Sequence, residues 1–123
     1  MRTAREVVEL YNLELWNNAR FELADEIIAE TMVRHEVGDS RTLTRAEARK
    51  RVEDTWAGFE SLHFALNVVI AADDNEHVAI VYDSTLVNKD GTEFKIASIE
   101  VFKVVDGQIT DVWNCGYGQG VWH

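Results

Sequence analysis

The sequence predicts an α+β fold, with three N-terminal helices packed in the concave face of a long, curved, mainly antiparallel sheet. Three observations predict it. Apolar residues recur at helical spacing as far as Phe59 and alternate in strand fashion beyond it. Two capping boxes open helices in the first half. Tight-turn signals divide the second half into four long apolar stretches. One domain, residues 1–123, is the simplest division, and a chain of this length can bury a core.

The elements follow in order. Thr3-Ala4-Arg5-Glu6 places Thr at the N-cap and Glu at N3 of a first helix, with Val7, Tyr11 and Leu15 four residues apart and Val8 and Trp16 beside them. A second helix is expected near residues 20–30, with Phe21, Ala24, Ile27 and Ile28 on one side. A short strand follows at 32–37. Thr44-Arg45-Ala46-Glu47 caps a third helix that turns Ala48, Val52, Trp56 and Phe59 inward. Strands are then predicted near 62–72, 77–88, 94–105 and 108–117. Asp106-Gly107 is the strongest hairpin signal, because glycine tolerates the positive φ of a type I′ turn. The four strands form a consecutive antiparallel meander. Strands longer than the usual five or six residues or so twist and coil, and helices on one face turn such a sheet into a cup.

Composition narrows the function. A net charge of −10 argues against a nucleic-acid binder. The densest basic group, Arg41, Arg45, Arg49, Lys50 and Arg51, reads as a solvated helix face, with attraction of an anionic substrate as the alternative. No apolar run approaches the length of a membrane span. The opening MRTAREVVEL lacks the apolar centre of a secretion signal, and the single Cys115 has no internal disulfide partner. A cytoplasmic protein is expected. His35, His63, His77 and His123 lack the spacing of a zinc site, and no glycine-rich phosphate loop or nucleophile elbow occurs. No metal and no other cofactor is expected.

Strand alternation selects candidate site residues. Across 32–37, Val33, His35 and Val37 share one face, while Met32, Arg34 and Glu36 share the other. The charged pair suits water, so the valine face, and His35 with it, is expected inward. In 94–105, Glu100 alternates with Phe102 and Val104 on the inner face, where burial raises a carboxyl pKa. Asp83, aligned with Val81 and Thr85, is a weaker case. Tyr11 lies on the buried stripe of the first helix, and its hydroxyl needs a partner. Each residue taken alone also fits a packing role. Together, a tyrosine, a histidine and a glutamate converging on one cup point to a site.

Ile99-Glu100-Val101-Phe102 followed by Asp106-Gly107-Gln108-Ile109-Thr110-Asp111-Val112-Trp113-Asn114, with the helix–helix–strand–helix–meander order, resembles the nuclear-transport-factor-two-like superfamily. This group of cystatin-like cones includes ketosteroid isomerases, SnoaL-like polyketide cyclases, scytalone dehydratase and limonene epoxide hydrolase. The resemblance covers nearly the whole chain, and the ending Trp113-Asn114-Cys115-Gly116-Tyr117-Gly118 is similar to SnoaL-like proteins. Positional comparison with the ketosteroid isomerases puts their oxyanion tyrosine on Tyr11, their base aspartate on His35 and their protonated aspartate donor on Glu100. Two of the three differ in identity, which speaks against ketosteroid isomerisation itself. The epoxide hydrolase arrangement needs an arginine within the meander, and no arginine follows Arg51.

The resemblance implies cofactor-independent proton transfer on a small hydrophobic carbonyl compound, by isomerisation, cyclisation or dehydration. His35 would be the general base, Tyr11 an oxyanion donor, and Glu100 either a second donor or the partner of His35. Trp16, Trp56, Phe59, Asp83, Phe102 and Asn114 are candidate substrate-binding residues. The competing expectation is a non-catalytic ligand-binding or accessory module. Either form is expected to dimerise through the outer face of the sheet.

Overall fold

The computed structural model describes residues 1–123. Helix α1 (Ala4–Leu10) starts at the predicted capping box, where Thr3 Oγ1 accepts from the Glu6 amide. It continues as a wide π-helical turn, Tyr11–Trp16. The Asn12 side-chain amide donates to the Val8 carbonyl at 2.9 Å, and this side-chain bond competes with the backbone ladder. A 3₁₀ turn at Phe21–Leu23 leads into a single helical turn, α2 (Ala24–Ile27). Helix α3 (Arg45–Gly58) begins at the second capping box and buries Ala48 and Val52.

The sheet contains β1 (Ile28–Glu36), β2 (Asp39–Thr44), β3 (Ser61–Ala71), β4 (His77–Val87), β5 (Glu93–Val105), β6 (Gln108–Asn114) and the short β7 (Gly118–Gln119). Its order is β2-β1-β6-β5-β4-β3, with β7 pairing β5. Strands β3 to β6 form the predicted antiparallel meander, and β1 joins β6 in parallel. Asp106 and Gly107 both take positive φ, 51° and 77°, as the β5–β6 hairpin requires. Helix α1 lies against β3 to β6, and α3 lies against β1 and β2. The core between these layers is centred on Val7, Leu15, Ile27, Ile28, Ile80 and Phe102.

Two differences from the sequence reading concern the first half. The expected helix over 20–30 stops at Ile27, because Ile28 turns extended and pairs with Ile109. Adjacent β-branched isoleucines suit a strand at least as well as a helix. A hairpin, not one short strand, follows: β1 turns at Gly38 (φ 85°) into β2. Strand β2 is an edge strand, largely solvent-exposed, so it carries no alternation to reveal it. No helix is long and apolar enough to cross a membrane.

Candidate functional site

A cavity of about 240 Å³ opens between the helices and the inner face of the sheet. The π-helical turn supplies Tyr11, Asn12 and Trp16, and α3 supplies Arg51 and Thr55. The sheet adds Arg34 from β1, Leu62 and Phe64 from β3, and Tyr82, Ser84 and Leu86 from β4. Ile96 and Glu100 of β5 complete the wall, and Tyr117 reaches it from the C-terminal segment. Asn17 anchors the end of the wide turn to β3, where its side-chain oxygen and nitrogen pair with the Phe64 amide and carbonyl at 2.7 and 2.9 Å. The floor is aromatic. Trp16 meets Tyr11 and Phe64 edge-on, and Phe64 is tilted against Tyr82 with ring centres 5.3 Å apart.

Glu100 lies where alternation puts it, on the inner face and 7% exposed. Arg34 approaches its Oε2 at 3.7 Å. Burial pushes the Glu100 carboxyl above its usual pKa, against the opposing pull of Arg34, Asn114 and Arg51. Burial also raises the Tyr82 pKa, with the Glu100 charge adding to it, so that hydroxyl stays a donor. Arg51 lies over the Trp16 ring, 5.7 Å from its centre. The site therefore joins a carboxyl group of raised pKa to two guanidinium groups and three phenols, those of Tyr11, Tyr82 and Tyr117.

Tyr11, Trp16 and Glu100 are the sequence candidates that line this cavity. His35 does not line it, and its expected inward position is corrected. It lies on the outer face of β1, with Nε2 2.9 Å from Asp111 Oδ2 and its ring stacked on Trp113 at 4.8 Å. The inward residues of β1 are Met32 and Arg34, 1% and 4% exposed. The expectation rested on sending the charged pair to water, but Arg34 meets a buried counter-charge inside. Asp83 is likewise on the outer face, because Ile80, Tyr82, Ser84 and Leu86 form the buried series of β4.

Three other candidates support the wall from behind. Trp56 donates its indole N–H to the Trp16 carbonyl at 2.7 Å. Phe102 packs against Tyr11 with ring centres 5.5 Å apart. The Asn114 amide donates to Ser98 Oγ at 3.4 Å. Phe59 packs on Phe94, away from the cavity.

Sequence reasoning missed Arg34, Arg51, Tyr82 and Ser84. The last two were accessible, since the alternation Val78, Ile80, Tyr82, Ser84, Leu86 is regular. Arg51 was not: it sits in a basic run in which Lys50 and Arg49 make surface pairs with Asp54 and Asp25. No three His, Cys, Asp or Glu side chains gather in a metal-holding arrangement.

The sequence profile of the SnoaL-like polyketide cyclases matches residues 6–120. No curated protein matches the sequence. Among solved structures, a SnoaL-like polyketide cyclase from Agrobacterium tumefaciens superimposes with a TM-score of 0.78 at 14% identity, over 96% of this chain and 93% of that one. SalBIII, an epoxide hydrolase/cyclase-like enzyme with a role in pyran ring formation in salinomycin, gives 0.78 at 23% identity over 97% and 95%. A protein from Catenulispora acidiphila with a ketosteroid isomerase-like fold gives 0.73 at 18% identity over 90% and 85%. At these identities the structural likeness speaks for the fold alone.

Proposed function

Because the chain belongs to the SnoaL-like polyketide cyclase family, we propose that its cone binds a small hydrophobic carbonyl compound and catalyses cofactor-independent proton transfer, with Glu100 and not His35 moving the proton. One observation carries this reading: Glu100 is a buried carboxyl of raised pKa on the cavity wall beside Arg34. A catalytic acid–base works best with a pKa near the operating pH, and burial moves a carboxyl in that direction.

Isomerisation, cyclisation and dehydration share a first step. The Glu100 carboxylate takes the proton from a carbon next to the substrate carbonyl, and the electron pair of the C–H bond passes into the enolate. Arg34, Arg51 and the Tyr11 hydroxyl are the cations and donor available to hold the enolate oxygen. In a cyclisation the enolate carbon attacks a second carbonyl. The carbon–carbon bond forms as that C=O π bond breaks, and protonated Glu100 returns its proton to the alkoxide. The aromatic lining keeps water from quenching the enolate.

Deuterium uptake at the α-carbon of β-tetralone in D₂O, followed by NMR, tests this directly. Wild type is expected to exchange faster than buffer, and Glu100→Gln to lose about 100-fold or more. Exchange at the buffer rate in wild type would leave the non-catalytic binding module as the better description. Undiminished exchange in Glu100→Gln would remove Glu100 from the role.

A second copy of the chain suits the outer face of the sheet. Val68, Val81 and Ile99 are cross-strand neighbours there, as are Ala79, Val101 and Trp113. Val68, Ile99 and Trp113 remain 43%, 45% and 38% exposed, an apolar stripe that a two-fold partner would cover with its own. Light scattering is expected to give twice the chain mass for wild type and the single-chain mass for Ile99→Lys. A monomeric wild type would dismiss the dimer.

A further inference from the structure

Two buried polar atoms of the cavity wall have no hydrogen-bond partner: Nε of Arg34 and Oγ of Ser84. Their residues are 4% and 1% exposed. An unpaired buried donor costs about 1–3 kcal/mol, and a charged one more. A wall that carries two such atoms is completed by an occupant able to satisfy them.

Charge balance within the cavity points to the same occupant. Two guanidinium groups face a single carboxyl, although the chain as a whole carries −10. Arg34 reaches Glu100 only through a terminal nitrogen at 3.7 Å, longer than the roughly 2.7–2.9 Å of a tight charge-assisted bond. Arg51 takes part in no ion pair and rests on the Trp16 ring instead. Both forks retain donors for an anionic oxygen, and a planar guanidinium suits a carboxylate.

Position fixes the shape of the ligand. Arg34 is on β1 and Ser84 on β4, with β6 and β5 between them in the sheet. A molecule that touches both must span the cavity, and a rigid ring does so with little entropy to lose. The aromatic edges of Trp16, Phe64 and Tyr82 suit such a ring. At about 240 Å³ the space exceeds the ~150 Å³ cavity that holds benzene, so a fused pair of rings is of the right order.

We infer that the cavity takes a planar ring compound carrying an ionised carboxylate, held by Arg34 and Arg51, with a second oxygen on its far side that bonds Ser84. This deepens the proton-transfer reading and rests on its assignment of the cone as the ligand site. It adds that the preferred substrate carries a carboxylate, which engages Arg34 and Arg51 and leaves the Tyr11 hydroxyl to hold the enolate oxygen.

Calorimetric titration of the whole chain with 6-hydroxy-2-naphthoate, 6-hydroxy-2-naphthamide and 2-naphthoate tests it. The hydroxy acid is expected to bind at least tenfold more tightly than its amide. Arg34→Gln is expected to abolish that preference, and Arg51→Gln to reduce it. Ser84→Ala is expected to remove only the advantage of the hydroxy acid over 2-naphthoate. Equal affinity for acid and amide in wild type overturns the inference, as does no binding of the acid in the millimolar range. A full acid preference in folded Arg34→Gln also overturns it. Should Arg34→Gln fail to fold, the wild-type comparison and Arg51→Gln still decide. Deuterium exchange is scored separately: exchange without acid preference sinks this inference alone, and acid preference without exchange sinks the catalytic reading alone.

Discussion

Arg34 and His35 are neighbours in the chain, and each meets a carboxyl group from a distant strand. Arg34 points inward to Glu100, and His35 points outward to Asp111. The two pairs contain similar chemistry in opposite environments. The side chains of the inner pair are 5% and 9% exposed, and those of the outer pair 33% and 23%. Inside, burial outweighs the arginines and raises the Glu100 pKa. Outside, partial burial also pushes Asp111 up, but hydrogen bonds from His35 and Thr110 outweigh it and hold the carboxyl below its usual value. A polar pair next to a cavity stays chemically unfinished, whereas a pair at the surface settles into a closed, satisfied contact.

The largest way to break this contrast is Arg34→Met. It leaves Glu100 buried without its ion-pair partner, and breaking such a pair costs about 3–5 kcal/mol. Denaturant unfolding at neutral pH is expected to show a loss of that order, shrinking in acid where Glu100 protonates. A loss no larger than that of a surface variant would mean that the inner pair is effectively solvated.

The pH dependence of stability sharpens the contrast, because the two pairs carry opposite signs. Glu100 has a raised folded-state pKa. Between the unfolded and folded values the native state holds the proton, so stability falls as pH rises through that window. Asp111 has a depressed folded-state pKa. Its contribution is present above the unfolded value and is lost as pH falls through the folded one. Thermal melts against pH are expected to show wild type losing ground to Glu100→Gln as pH rises, and losing ground to Asp111→Asn as pH falls. Slopes of the same sign would contradict the two environments.

The smallest effect belongs to His35→Ala. A partly exposed pair contributes about 0–1 kcal/mol, so the unfolding midpoint is expected to shift only slightly. Deuterium exchange in the cavity is expected to stay at the wild-type level. A loss of exchange would restore His35 as the proton-moving group.

How far the site was legible follows from the same residues. Glu100 was found because β5 is buried on its inner side along most of its length, so the period of two is clean. Tyr11 was found because helical spacing holds from Val7 to Leu15, although the π-turn that swings Trp16 beside it leaves no sequence pattern of its own. His35 was misplaced because both faces of β1 carry polar residues, and local pattern cannot say which charge will find a partner. Asp83 fell to a related ambiguity, since Val81 and Thr85 suggest an apolar face that in fact looks outward.

By itself the sequence determined the class of fold, the two capped helices, the meander and its Asp-Gly hairpin, and the inward side of β5. These depend on contacts within a few residues or on the periodicity of one element, both written locally in the chain. Only the tertiary structure decided that Arg34 and not His35 enters the cone, that Arg51 leaves its basic run to join it, and that Ser84 waits there unpaired. Each of those outcomes depends on a partner or a void dozens of residues away. A buried charge is tolerated only where its counter-charge arrives, and that is a property of the assembled cavity, not of any one strand.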